Sequence, residues 1–186
     1  MKKILQFTFQ RWTVPLVLLG LTLISFGLLA PFLGFYWDDW SQILSKSVFG
    51  VDGYWQYFAS DRPTSAWTHV LFAPLLGDVP LRWQLFTLGL RWLTSVAVWW
   101  TLSGVWRCQQ RQVTFVAMLF AVYPVFTQQS ISVAYHQHWT QYLLYWVSLG
   151  AMVHAVRQPP LVPALNAASV GYSGAASLDH RVLSGS

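Results

Sequence analysis

Between Val14 and Tyr36 the chain runs 23 residues without a formal charge. As a helix rising ~1.5 Å per residue, such a run reaches about 34 Å, enough to cross a hydrocarbon core of ~30 Å with some tilt. In water the same helix would expose apolar surface along its length, whereas lipid removes that cost. The opening Met1-Lys2-Lys3 resembles a signal peptide. The run is nevertheless longer than an h-region of roughly 7–15 residues, and no small-residue cleavage site closes it. It reads as a retained span. Pro15 falls near its start, where a missing N–H costs little, and Pro31 is expected to kink its far end.

The rest of the chain agrees. Charged residues make up 9% and hydrophobic ones 55%, against roughly 25% charged in an ordinary soluble domain. Aromatic residues reach 17%, with 12 Trp, which suits the two bilayer interfaces. The net charge of +5 comes from singly scattered Lys and Arg. No basic cluster interleaves with aromatics, so nucleic acid is excluded as a partner. A lone Cys108 excludes an internal disulfide framework and a Cys-based zinc site. The chain has no Glu, which leaves carboxylate chemistry to its six Asp.

Further apolar runs extend over Trp83–Trp106, broken by Arg91, over Val113–Gln128 and over Trp139–Val156. Ala66–Leu76 is too short to cross and contains Pro74, so it reads as an interfacial or re-entrant helix. Charge placement selects four crossings over five. With Lys2, Lys3 and Arg11 cytoplasmic, four crossings also put Arg107, Arg111 and Arg157 inside. Asp38, Asp39, Asp52, Asp61 and Asp78 then fall outside in one loop, residues 37–82, although Arg62 and Arg82 share it. The fold class is therefore an all-α polytopic transmembrane bundle of about four spans (14–36, 83–106, 113–128, 139–156), in a plasma (inner) membrane with the N-terminus cytoplasmic. Residues 1–158 form this module. Residues 159–186, opened by Pro159, Pro160 and Pro163 and rich in Ala, Ser and Gly, read as a low-complexity, disordered tail.

The outer loop carries the candidate chemistry. It opens with Tyr36-Trp37-Asp38-Asp39-Trp40, two carboxylates where the first span leaves the membrane. Partial desolvation there raises a carboxyl pKa. Adjacent residues on a helix point about 100° apart, so one Asp is expected to face a site and the other to cap the helix from Ser41 onward. The plain alternative is capping and solvation of a span end by both. Asp61-Arg62-Pro63 follows, and Arg62 can hold phosphate oxygens bidentately, anchor to head groups or pair with Asp61. His69 reads as a packed or interfacial ring. Arg91, set inside a span, faces a cavity or snorkels to the surface. In the second outer loop, Tyr135-His136-Gln137-His138 lacks the further ligand that zinc needs, so hydrogen bonding at the interface is the expected role.

This order of features resembles the GT-C superfamily of membrane glycosyltransferases, nearest to its protein O-mannosyltransferase-like and aminoarabinose-transferase-like members. The matching pieces are Tyr36-Trp37-Asp38-Asp39, Asp61-Arg62-Pro63, Gly77-Asp78-Val79-Pro80 leading into Trp83-Gln84-Leu85, and Met118-Leu119-Phe120-Ala121-Val122-Tyr123-Pro124-Val125. They cover roughly residues 14–157. The resemblance implies transfer of a sugar from a polyprenyl-phosphate carrier to an acceptor on the outer face, with inversion at the anomeric carbon. It places the general base on Asp38, with Asp39 where many relatives have Glu. Arg62 aligns with a basic or His-Pro position, and Arg91 is an independent candidate for the donor phosphate. Trp37, Trp40, His136 and His138 are candidate lining residues. Metal dependence varies in the superfamily, so a divalent cation stays open. Relatives have many more spans, which makes this chain resemble the N-terminal module of such an enzyme, with a second chain as a candidate supplier of the rest. The competing expectation is a small non-catalytic membrane protein for assembly or lipid binding. An ion path is disfavoured, since the spans hold only Arg91 and His154 as ionisable residues.

Overall fold

Long apolar runs punctuated by Pro and Gly fold as helices, and the computed structural model, which describes residues 12–123 and 128–157, contains no strand among them. Seven α-helices follow one another: α1 (Val14–Thr22), α2 (Asp38–Phe49), α3 (Gly53–Phe58), α4 (Ala66–Leu76), α5 (Pro80–Val105), α6 (Gln110–Val122) and α7 (Ser132–Val156). The chain divides into two units, Met1–Val153 and His154–Ser186. The second contributes residues 154–157 to the description. The proposed tail over 159–186, the basic residues Lys2, Lys3 and Arg11, and the Pro124 turn lie outside the described residues.

Several expected boundaries move. The first apolar run is not one kinked α-helix: α1 passes into a π-helical turn, Leu23–Gly27, and a 3-10 turn, Ala30–Phe32, that contains Pro31. Val14–Phe32 is nevertheless long and apolar enough to cross a membrane. It is the one such helix among the described residues. The longer α5 and α7 fall short on composition because Thr, Ser, Gln, Trp and Tyr dilute their Leu and Val. α7 starts at Ser132, well before the expected Trp139. α6 ends at Val122, short of the expected Gln128, because Tyr123 turns extended (φ −59°, ψ 125°) ahead of Pro124, whose ring disfavours helical geometry in the residue before it.

α1, α5, α6 and α7 form a bundle. Val14 and Leu18 of α1 pack on Ala117 and Ala121 of α6, flanked by Trp92, Val96 and Trp99 of α5. Pro15 accepts a bond from the Trp92 indole while Gly27 approaches Leu88, so α1 runs antiparallel to α5. α5 and α7 run parallel, and their register is visible in hydroxyl contacts. Thr87 and Thr101 donate to the carbonyls of Ser132 and Trp146 at 3.1 and 2.9 Å. Midway, Thr94 lies 3.4 Å from the Trp139 carbonyl while donating chiefly to Leu90. These residues recur every seven positions on both helices, the heptad spacing that keeps one seam facing its partner.

The segment expected as an outer loop, residues 37–82, is a helical cap built from α2, α3 and α4. Its apolar centre joins Ile43, Tyr54, Phe58, Ala66 and Ala73 to Trp83 of α5 and Val133 of α7. The cap therefore sits at the end of the bundle where α5 and α7 begin. Gly77, at φ +63°, ends α4 in the left-handed conformation that only Gly adopts freely, and the Trp83 indole donates to its carbonyl at 2.8 Å. α2 is bound across the cap by the Lys46–Asp78 ion pair at 2.6 Å. Unusually, α2 buries Asp39 and Gln42 and exposes Trp40, Leu44 and Val48.

Candidate functional site

The two aspartates at the start of α2 separate as the 100° step between helical neighbours requires. Asp38 is exposed and Asp39 wholly buried. Trp37, immediately before them, takes φ +50°, ψ −117°, a strained backbone for a bulky residue and a recurrent mark of functional sites. Neither carboxylate caps α2, whose N-terminus has no side-chain cap. This corrects the expectation that one would. Asp39 instead reaches across 95 positions of sequence, where its Oδ1 accepts the Ala134 backbone N–H at 2.8 Å in the first turn of α7. The first four N–H groups of a helix lack intrahelical partners, and the macrodipole favours negative charge there. Asp39 is thus a remote cap that ties α2 to α7. Burial outweighs these bonds and pushes its carboxyl up to about 7.

Beside Asp39 lies a buried polar cluster. Gln42, one turn along α2, places Oε1 3.0 Å from Nε2 of His69, and the same nitrogen lies 3.1 Å from the Val133 carbonyl. Nδ1 of His69 is 3.2 Å from the Ser65 carbonyl and 3.4 Å from the Thr68 hydroxyl. Burial lowers the His69 pKa to about 4, so the ring is neutral at pH 7 and has a single N–H. Carbonyl oxygens face both nitrogens, Ser65 at Nδ1 and Val133 at Nε2, and the single N–H serves one of them. His136 packs edge-on at 4.4 Å between ring centroids, with its Nδ1 2.6 Å from the Val133 carbonyl. Tyr54, Phe58 and Trp83 complete an aromatic wall around the two imidazoles. Residues from both expected outer loops therefore meet.

The remaining candidates are dispersed. Trp37 and Trp40 are 83% and 61% exposed and flank Asp38 in sequence. His138 is half-buried, and burial together with the charge of Arg62 lowers its pKa. Arg62 is exposed and bonded through Nε to Asp61 at 2.7 Å. Arg91 neither opens into a cavity nor snorkels. It is wholly buried, donates from Nε to the Ala121 carbonyl at 3.3 Å, and lies over the Phe26 ring at 3.3 Å from its centroid, with Trp139 at 5.0 Å. These contacts belong to the bundle, and none is shared with Asp39. No group of three or more His, Cys, Asp or Glu among the described residues could hold a metal ion.

Of the two roles expected for His69, packed or interfacial, the ring is packed, but its place as the hub of the cluster was not expected, nor was Gln42. Helical spacing held the clue: Asp39, Gln42, Ile43 and Lys46 share one face of α2, so a buried Asp39 implies a buried Gln42. The site is that of an all-helical bundle whose polar residues are gathered under a helical cap. No family model matches the chain, and neither a curated protein nor a solved structure matches it significantly.

Proposed function

We propose that the chain is a polytopic membrane protein crossing the bilayer near residues 14–36, 83–106, 113–128 and 139–156. On this reading it works as a glycosyltransferase of the GT-C kind, or as a module of one. Three features support the membrane reading. Leu16, Ile24, Leu28, Leu29 and Phe32 along the first segment are each more than 60% exposed. α5 and α7 are joined by Thr hydroxyls and a close approach at Gly150, the means by which helices associate where water provides no hydrophobic drive. Several polar side chains of the cap are buried, while Trp40, Leu44, Val48, Leu71 and Leu75 face outward.

The transferase reading is carried by one observation, the division of the Asp38–Asp39 doublet. Asp39 is a positioning residue that fixes α2 on α7, and Asp38 is thereby held outward on a rigid helix beside exposed Trp37 and Trp40. In transfer, the Asp38 carboxylate takes the acceptor hydroxyl proton while that oxygen attacks the anomeric carbon. The carbon–oxygen bond to the carrier phosphate breaks, and polyprenyl phosphate leaves with the bonding pair. Arg62 is a cation at this end of the molecule suited to the departing phosphate, exchanging it for Asp61. Arg91 serves packing of the bundle instead. The second reading, a non-catalytic membrane protein, is favoured by the pairing of Arg62 and the seclusion of Asp39.

Asp38→Asn distinguishes the two. Transfer of radiolabelled sugar from polyprenyl-phosphate donor in native membranes is expected to fall by about 10²-fold or more, with membrane insertion unchanged. Transfer at the wild-type rate removes Asp38 from the mechanism.

A further inference from the structure

Between α2 and α3 lies an open cleft of about 530 Å³ lined by Ser41, Leu44, Ser45, Val48, Phe49, Gln56 and Tyr57. One wall is apolar. Leu44, Val48 and Phe49 are each just over 60% exposed. Leu44 and Val48 also continue a stripe that begins at Trp40, at four-residue spacing along α2. α4 carries a matching stripe, Trp67, Leu71 and Leu75, exposed by 42%, 54% and 72%. In water, such faces turn inward. Here the inward faces hold Asp39 and Gln42 beside Ile43 on α2, and Thr68 and His69 beside Ala66 and Ala73 on α4. Two helices that each turn an apolar stripe outward, led by Trp in the first turn, describe a cap immersed at a lipid interface. The apolar wall of the cleft is thus continuous with the surface that meets lipid.

The other end is polar, and its hydrogens are committed. Ser41 donates its hydroxyl hydrogen to the Asp38 carbonyl at 2.9 Å. The 2.7 Å contact between Ser41 Oγ and Tyr57 Oη then uses the Tyr57 hydrogen, since Ser41 has no second one to give. Ser45 likewise donates to the Gly53 carbonyl at 3.2 Å. What remains toward the cleft from this trio is lone pairs. Asp38 stands one turn before Ser41 on the same face of α2, and no cation is among the lining residues. This end of the cleft therefore accepts hydrogen bonds and offers no positive charge to an anion, while the Gln56 amide can serve a ligand oxygen.

We propose that the α2–α3 cleft is a binding site for a membrane lipid with a neutral, hydroxylated head group. The lipid enters sideways from the leaflet, with its chain along Leu44, Val48 and Phe49 and a head-group O–H donated to Tyr57. The site rests on the membrane reading. If the transferase reading also holds, this lipid is the acceptor, since its hydroxyl lies at the Asp38 end. A phosphate-bearing carrier does not fit this end.

The test uses the full chain in nanodiscs and two photoactivatable probes with identical acyl chains, diacylglycerol and phosphatidic acid. Diacylglycerol is expected to crosslink to peptides containing residues 41–57, several-fold more than phosphatidic acid. Val48→Trp, which fills the apolar wall, should abolish that labelling. Tyr57→Phe should lower the preference for diacylglycerol by about five-fold, the worth of one hydrogen bond, without removing chain contact. Equal labelling by the two probes, or diacylglycerol labelling that survives Val48→Trp, overturns the proposal. Labelling is read without sugar transfer, so a silent transferase assay with intact, Val48-dependent labelling refutes the enzymatic reading alone.

Discussion

At the scale of single residues, Asp39 and His69 set opposite pH dependences within one cluster. The Asp39 carboxyl, raised from 3.8 to about 7, binds its proton more tightly folded than unfolded. Its contribution to stability is complete below pH 4 and is lost as pH rises through 7, on the order of 4 kcal/mol in all. His69, lowered from 6.5 to about 4, binds its proton less tightly when folded. Its contribution is complete above pH 6.5 and is lost as pH falls through 4. The two oppose each other between pH 4 and 6.5. Asp39→Asn keeps an oxygen for the Ala134 N–H and removes only the titration. Its thermal aggregation midpoint in detergent micelles is expected to climb from pH 4 to pH 6.5 more steeply than that of wild type. A variant with the same profile as wild type would show that Asp39 does not titrate in this range. The divergence of the doublet was legible in sequence, because the helical step forces it, although the expected cap on α2 does not form. Which end of which helix Asp39 would cap was not legible, since its partner lies in α7 and no local pattern points there.

At the scale of helices, α5 and α7 meet along one seam. A Cβ at Gly150 would run into the Trp100 ring and stand 2.6 Å from Thr101 Oγ1, so these α5 side chains pack onto the α7 backbone where Gly alone fits. Gly150→Leu is expected to cost more than the 1–3 kcal/mol typical of overpacking. Thr87→Val together with Thr101→Val removes two interhelical bonds of about 0.6 kcal/mol each. Thermal midpoints in micelles should therefore rank wild type, then the double Thr variant, then Gly150→Leu. A Gly150→Leu variant as stable as wild type contradicts the seam. The sequence did carry this information: Thr87, Thr94 and Thr101 recur every seven residues. Apolar content alone hides that repeat, because the Thr residues dilute the hydropathy of α5 rather than add to it. For the same reason composition singles out Val14–Phe32 and passes over helices of 26 and 25 residues. The exposed stripes of α2 and α4 were equally readable as four-residue spacings, but their sense was not. Only burial of Asp39, Gln42, Thr68 and His69 on the opposite faces shows that the stripes point outward.

At the scale of the whole molecule, four crossings put the cap and the α5–α6 turn on opposite sides of a bilayer in the proposed topology. Cys108 sits in that turn, exposed, and it is the chain's single cysteine. Asp52, exposed between α2 and α3, reports on the cap when replaced by Cys in a Cys108→Ser background. The direct test is labelling of intact cells with a membrane-impermeant maleimide, followed by labelling after permeabilisation. Asp52→Cys is expected to react in intact cells, and Cys108 only once the membrane is opened. Reaction of both from the same side would place Asp38 with the basic turn and remove the outer-face site on which the proposed chemistry depends.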